Sequence, residues 1–208
     1  HTLALILSLL RKIPFSNNST HEGKWEKKII KGNELSHKTI GIVGFGNVSS
    51  RLIELLNGFN VKILISSKSF NNRKINYTNV SYTSFNDLLS KSDIISFHCN
   101  SNADGTPLIN SNQLKKMKNT CYLINTSRGN IINENDLNDA LNKNVIAGAA
   151  IDVFSEEPAK NNILFNNPKI ICTPHIAAST IESQIKVAEM ISNQVCNYLL
   201  KNEKVNTV

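Results

Sequence analysis

Residues 39–50 read TIGIVGFGNVSS, a short apolar run that leads into a glycine-rich turn and then into polar residues. The apolar run predicts a buried strand, and the residues after the turn predict the start of a helix. Gly44 and Gly46 match the first two glycines of G-x-G-x-x-G, and Ser49 replaces the third. Gly44 allows the tight turn, and Gly46 lets a pyrophosphate approach the helix N-terminus. The segment therefore predicts a dinucleotide-binding turn; the alternative is a glycine-rich turn in a nonbinding α/β domain.

Short apolar runs alternate with helical patterns over the rest of the chain. This alternation predicts an α/β fold, a Rossmann-type doubly wound parallel sheet with helices on both faces. After the glycine turn, Val48, Leu52, Ile53, Leu55 and Leu56 have the spacing of an apolar helix face. Strands are predicted at 39–43, 61–65, 80–82, 93–98, 121–125, 145–152 and 169–173, and further helices at about 85–90, 111–116, 134–142 and 181–200.

The length and composition are those of one ordinary globular domain: 208 residues, 40% hydrophobic and 19% charged. The net charge of +7 is spread over many segments. The densest lysine group surrounds Trp25, and no second aromatic residue lies among those lysines. A nucleic-acid surface needs that aromatic interleaving, so we predict instead a solvated arm with one buried indole, and no nucleic-acid binding.

The four cysteines show no paired ligand spacing, so the sequence predicts neither a zinc site nor a disulfide framework. We expect a reducing, cytoplasmic setting and no bound metal. Residues 3–10 are nearly all apolar, but this run is far shorter than the roughly 18 residues that would cross a bilayer. We therefore expect no membrane association, and we interpret the run as a buried helix that Pro14 ends.

Three short motifs in the second half carry polar residues that suit one reaction: Ser127-Arg128-Gly129, Glu156-Glu157-Pro158 and Thr173-Pro174-His175. An arginine can bind a carboxylate through two parallel hydrogen bonds. A histidine exchanges protons near neutral pH, and a neighbouring carboxylate favours its protonated form. Arg128, Glu157 and His175 therefore suggest hydride transfer at a 2-hydroxy acid. Taken singly, each residue also fits a structural role: a surface salt bridge, an exposed acidic pair or a structural histidine.

The chain resembles the D-isomer-specific 2-hydroxyacid dehydrogenases over essentially its whole length, and most of all their phosphoglycerate dehydrogenase branch. Several blocks in the right order carry the resemblance: HTLAL (1–5), GKW (23–25), GIVGFG (41–46), NTSRG (125–129), AGAAIDVF (147–154), EEP (156–158) and TPHIAAST (173–180). The resemblance implies that Arg128 binds the substrate carboxylate, that His175 is the acid/base and that Glu157 holds it. It implies cofactor contacts at the glycine turn, at the second strand and near the nicotinamide, namely at Gly44, Gly46, Asn47, Val48, Ser67, Lys68, Thr126, Ser127, Asp152, Ala177 and Ala178.

The chain departs from that family at the end of the second strand. An acidic residue usually accepts hydrogen bonds from the adenosine ribose of NAD there, whereas this chain has Ser66-Ser67-Lys68. Without that carboxylate a 2′-phosphate is not repelled, and Lys68 or Arg73 could pair with it. The sequence therefore leaves NAD and NADP both open as the cofactor.

The resemblance also predicts the organisation of the chain. It implies an N-terminal helix and arm at 1–36, a dinucleotide domain at 37–180, and a C-terminal helix at 181–208 that returns toward a substrate domain. Because most of that substrate domain would precede residue 1, we expect the chain to be N-terminally truncated, with apolar surface exposed on 1–13 or 181–200. The resemblance also implies a homodimer in which the arm around Trp25 extends to the other subunit.

Three functions remain open at this point. The first is a dehydrogenase acting on a small anionic 2-hydroxy or 2-oxo acid. The second is a dinucleotide-binding regulator, and the third an inactive remnant. For these 208 residues alone, we predict cofactor binding with little or no turnover.

Overall fold

A computed structural model describes residues 1–68 and 77–205. Its centre is a seven-stranded sheet in which every neighbouring pair is parallel, in the order β3-β2-β1-β4-β5-β6-β7. The strands are β1 Thr39–Val43, β2 Lys62–Ser66, β3 Val80–Tyr82, β4 Ile94–Phe97, β5 Tyr122–Asn125, β6 Gly148–Ile151 and β7 Ile170–Cys172. The helices are α1 Thr2–Leu10, α2 Ile13–His21, α3 Asn47–Leu56, α4 Phe85–Lys91, α5 Ser111–Leu114, α6 Glu134–Asn142 and α7 Ile181–Lys201, with 3₁₀ turns at Asn57–Phe59 and Gly129–Ile131.

The strand order reverses between β1 and β4. From β1 the chain continues to β2 and β3 on one side, and then crosses back to β4 on the other side of β1. In doubly wound sheets, ligands bind outside the carboxyl ends of the strands at this point of reversal. The glycine turn follows β1 directly, so the fold places it at the edge where a ligand is expected.

Alternate residues of the strands form two separate cores, one on each face of the sheet. Ile40 and Ile42 of β1 belong to a core shared with α1 and α3. Val43 belongs to the opposite core, which contains residues of α4, α5 and α6. Both faces are therefore covered by helices, which confirms the predicted doubly wound fold and explains why the strands are almost uniformly apolar.

The strand predictions agree with the structure to within about three residues at each end. The interpretation of Pro14 was wrong. Helix α1 ends at Leu10, Lys12 adopts a left-handed conformation with φ of 53°, and Pro14 lies near the start of a second helix, α2. Proline suits the first turn of a helix because the N–H that it lacks would have no partner within the helix. Pro14 therefore begins one helix rather than ending another.

The prediction of a buried indole was also wrong. The Trp25 side chain is 84% exposed, so the arm does not contain a buried indole. In α3, Leu52, Ile53 and Leu56 are buried, but Val48 and Leu55 are exposed. Only one stripe of a helix can face a sheet, and the predicted apolar face of α3 was too wide.

The chain forms two compact units, His1–Pro174 and His175–Val208. The first contains the whole sheet, and Leu5, Ile6, Leu9 and Leu10 of α1 are buried in it. The second contains α7, in which no residue is buried. The predicted division at residues 36 and 180 stays a prediction. Within residues 1–68 and 77–205, no helix combines the length and apolarity needed to cross a membrane.

Candidate functional site

Gly44 makes the sharp turn between β1 and α3. Its φ is +92°, which favours glycine, and its N–H donates to the Ser66 carbonyl at 2.8 Å. A Cβ at Gly44 would lie only 2.4 Å from the carbonyl oxygen of His98. The turn is therefore fixed against β2 on one side and against the residue after β4 on the other.

Gly46 lies immediately before α3 and has open space where a side chain would be. A Cβ there would have no heavy atom within 4 Å. Its N–H donates to the Ser49 hydroxyl at 2.7 Å, and Ser49 is fully buried. Serine thus fits the position of the third glycine and caps the helix. The following N–H groups of the first turn have no partner within the helix and attract anions, so this end of α3 suits a pyrophosphate.

A cavity of about 610 Å³ opens beside the glycine turn. It is lined by the Gly44–Gly46 turn, by Ser66, Ser67 and Lys68 after β2, and by His98 and Cys99 after β4, among others. Burial lowers the pKa of His98 to about 4, and its Nε2 lies 2.8 Å from the Ser96 hydroxyl. His98 is therefore neutral at physiological pH. The predicted cofactor residues Gly44, Gly46, Ser67 and Lys68 lie at one cavity, whereas Arg73 lies outside the described residues.

We predict that Gly46→Ala weakens dinucleotide binding at least about tenfold and leaves the fold intact, because the new methyl group would occupy only the space that a pyrophosphate needs. Fluorescence titration with NADH and NADPH measures the binding, and thermal unfolding measures the stability. Gly58→Ala is the matched control, since a Cβ at Gly58 also meets nothing within 4 Å and lies outside the cavity. Unchanged affinity in Gly46→Ala would remove the turn from the site.

Asn125 organises the loop that carries Arg128. It ends β5 and is 1% exposed. Its side-chain oxygen accepts hydrogen bonds from the N–H and the hydroxyl of Ser127, each at 3.1 Å, and its amide donates to the Arg128 carbonyl at 2.9 Å. The Arg128 side chain is exposed, and its Nη1 donates to the Ser127 carbonyl at 2.7 Å. The backbone is thus fixed by Asn125, while the guanidinium, which carries five N–H donors, belongs to an exposed side chain.

Gly129 joins the Arg128 loop to the loop that carries Glu157. A Cβ at Gly129 would lie 1.8 Å from the carbonyl oxygen of Phe154, so only glycine permits this contact. The Glu157 carboxylate accepts a hydrogen bond from the Phe154 N–H at 2.9 Å. Arg128 and Glu157 therefore lie on loops that are packed backbone to backbone.

Asp152 follows β6 and is fully buried. It accepts a hydrogen bond from the Thr173 hydroxyl at 2.5 Å, and the His1 ring lies 3.4 Å from its carboxylate. The next residue of the chain, Thr2, lies with its hydroxyl 2.9 Å from that of Thr126. The start of α1 therefore reaches the carboxyl ends of β5, β6 and β7.

Sequence reasoning missed four of these residues. Asn125 and Gly129 flank the Thr-Ser-Arg motif, so a polar residue at a strand end and a glycine after the arginine were available signals. His1 and Thr173 belong to motifs quoted above, but nothing in the sequence links them to Asp152, because they are distant from it along the chain. In the fold, both lie beside the carboxylate.

Asn47 and Val48 begin α3 in the first unit, whereas His175, Ala177 and Ala178 lie in the second unit. His175 is its first residue and has a φ of +52°. Ala177 and Ala178 follow in the short loop before α7, in which the Ala178 carbonyl accepts a hydrogen bond from the Thr180 N–H. The Thr180 hydroxyl caps α7 by accepting from the Ser183 N–H at 3.0 Å. The roles of His175, Ala177 and Ala178 stay predictions.

Most of the chain matches one known protein family. Residues 3–177 match the model of the D-isomer specific 2-hydroxyacid dehydrogenase, NAD binding domain. The chain belongs to this family. It is 36% identical over 198 residues to the D-3-phosphoglycerate dehydrogenase of Bacillus subtilis, covering 95% of this chain but 38% of that protein.

Solved structures of other dehydrogenases and reductases share the fold. An acyclic imino acid reductase in complex with NADPH and D-Arg is 30% identical, with a TM-score of 0.90 over 100% of this chain and 66% of its own. The formate dehydrogenase of Staphylococcus aureus in complex with NAD is 28% identical, with a TM-score of 0.89 over 99% of this chain and 62% of its own. This family member thus spans well under half of its phosphoglycerate dehydrogenase relative and about two thirds of these structures.

Proposed function

We propose that the chain is the dinucleotide-binding part of a phosphoglycerate dehydrogenase-like enzyme, which transfers hydride between a nicotinamide dinucleotide and a D-2-hydroxy acid or 2-oxo acid. The observation that supports it most is the arrangement at the carboxyl edge of the sheet. The glycine turn and its cavity follow β1, and the loop of Arg128 follows β5 in the same sheet. The proposed cofactor position and the arginine proposed to bind a carboxylate therefore lie at one edge of the sheet.

Arg128 binds the substrate carboxylate and polarises the neighbouring carbonyl in this proposal. Its planar guanidinium matches a carboxylate with two parallel hydrogen bonds. The bonds from Asn125 fix its backbone, so that little ordering of the main chain remains when a substrate binds. A small anionic acid is the class of substrate that this group selects.

His175 is the proposed acid/base, and Glu157 its positioning residue. In the oxidation direction His175 takes the hydroxyl proton; in reduction it returns a proton to the carbonyl oxygen. A carboxylate beside an imidazole favours the protonated form, which is the role proposed for Glu157. When bound, the nicotinamide ring accepts or donates the hydride, and Asp152 is proposed to contact that end of the cofactor.

The remaining proposed contacts hold the dinucleotide. The first turn of α3, with Asn47 and Val48, offers N–H groups to the pyrophosphate. Ser67 and Lys68 are proposed to contact the adenosine ribose of the bound NAD or NADP. Thr126, Ser127, Ala177 and Ala178 are proposed for the nicotinamide half.

The chain alone is expected to bind cofactor with little or no turnover, because it spans only 38% of its Bacillus subtilis relative. A homodimer is proposed from the family resemblance. The exposed Trp25 on the arm is consistent with a homodimer. A monomer at micromolar concentration in analytical ultracentrifugation would contradict the homodimer.

Titrating the chain with NADH and NADPH while following nucleotide fluorescence tests the proposal. We expect saturable binding of at least one of them, since the cavity and the glycine turn fit a dinucleotide. Absence of saturable binding to both would refute the dinucleotide assignment. Binding to this chain, combined with no turnover of hydroxypyruvate, 2-oxoglutarate or 3-phosphoglycerate in the natural polypeptide that carries it, would favour a dinucleotide-binding regulator.

A further inference from the structure

We propose that the cofactor cavity prefers NADP(H) to NAD(H), and that Lys68 and the Ser67 hydroxyl bind the 2′-phosphate. This inference rests on the proposed dinucleotide site and specifies which dinucleotide occupies it. Its basis is the arrangement and charge of the residues that follow β2.

The residues after β2 leave the sheet beside the glycine turn. Ser66 is in register with Val43 in the parallel β1–β2 pair, and the Ser66 carbonyl accepts the hydrogen bond from the Gly44 N–H. Ser67 and Lys68 come next and line the same cavity as Gly44 and Gly46. With a pyrophosphate at the start of α3, the adenosine ribose lies next to the end of β2. Lys68 and Ser67 are therefore within the region of the 2′ position.

The described lining of the cavity contains no aspartate or glutamate. Lys68 is the one lysine or arginine among those lining residues, whereas His98 is neutral and burial raises the pKa of the Cys99 thiol. The Lys68 ammonium opposes that effect on Cys99, and both residues line the cavity.

A carboxylate at the end of β2 would favour NAD in two ways. It would accept hydrogen bonds from the ribose hydroxyls, and it would repel a phosphate at the 2′ position. Here a hydroxyl and an ammonium stand in that place. Both donate hydrogen bonds to phosphate oxygens, and the ammonium adds charge attraction. The cavity is consequently complementary to the additional anion of NADP(H).

The first experiment compares affinities in the intact chain. We expect NADPH to bind about tenfold or more tightly than NADH, as charge-assisted hydrogen bonds to one phosphate would give. Added salt should narrow the difference, because Lys68 is exposed. Adenosine 2′,5′-bisphosphate should displace the bound nucleotide at lower concentration than 5′-AMP. Equal or tighter binding of NADH overturns the inference and leaves the proposed function standing; failure of both nucleotides to bind removes the proposed function itself.

The second experiment uses single variants. Lys68→Ala should weaken NADPH binding about tenfold and leave NADH binding unchanged. Lys62→Ala is the matched control, because Lys62 is an exposed lysine at the start of β2 and does not line the cavity. Ser67→Asp should reverse the preference toward NADH. Equal loss of both nucleotides in Lys68→Ala, or an equal effect of Lys62→Ala, overturns the assignment of Lys68; far-UV circular dichroism verifies that each variant is folded.

Discussion

His175→Asn is expected to lower kcat by roughly 10²–10⁴-fold in the natural polypeptide that carries this chain, with the Kd for the cofactor unchanged. An asparagine can form a hydrogen bond but cannot exchange the proton that must leave as the hydride moves. Asparagine also suits this position better than alanine, since His175 has a φ of +52° and asparagine tolerates that backbone region. Steady-state kinetics with 2-oxo acids measures the effect.

His37→Asn is the matched control for His175→Asn. His37 also has a positive φ, of 62°, and no role in the proposed site. Wild-type kcat in the His175 variant would remove this residue from the mechanism. Glu157→Gln extends the test, because a glutamine can keep the bond to the Phe154 N–H while removing the charge. If Glu157 acts through His175, the two effects on kcat are not additive in the double variant.

Gly129→Ala is expected to destabilise the chain by roughly 1–3 kcal/mol or more, as overpacking in a well-packed region does. The added methyl group would lie 1.8 Å from the Phe154 carbonyl oxygen. The position of a Cβ is fixed by its own main chain, and the carbonyl is part of the main chain, so no side-chain rotation relieves the contact. The loops of Arg128 and Glu157 must then separate. Urea unfolding followed by circular dichroism measures the loss of stability.

Gly58→Ala serves as the control for Gly129→Ala, since a Cβ at Gly58 meets no atom within 4 Å. The Gly129 variant should also lose more turnover than its stability explains, when assayed well below its unfolding temperature in the natural polypeptide. A variant as stable and active as the wild type would contradict the close contact between the two loops.

Much of the fold could be predicted because the apolar pattern and the architecture are directly linked. The strands of a parallel sheet are covered on both faces and so appear as short apolar runs, which located β1 and β4 almost to the residue. The helix boundary near Pro14 could not be predicted, since a proline is compatible with the residue after one helix and with the first turn of the next. The exposure of Trp25 depends on which residues the arm packs against, and the composition of the arm carries no information on those contacts.

The candidate site was predicted only where its chemistry lies in short motifs. The Gly44 turn was recognisable because adjacent residues make it. Two polar contacts of Asp152 come from Thr173 and His1, which lie 21 and 151 residues away along the sequence, and only the folded sheet brings them together. Gly129 was recognisable as part of a motif, but its contact with Phe154 belongs to tertiary packing.

The packing of Gly44 against the His98 carbonyl has a consequence for the order of folding. The two residues are 54 positions apart, and β4, which ends just before His98, pairs with β1 only after β2 and β3 have been passed in sequence. Contacts of such large separation are entropically costly and slow to form. In a chain made from its amino end, the glycine turn cannot reach its final packing before residue 98 has been synthesised. The packing of the glycine turn is therefore completed later than the local β1–α3–β2 unit to which the turn belongs.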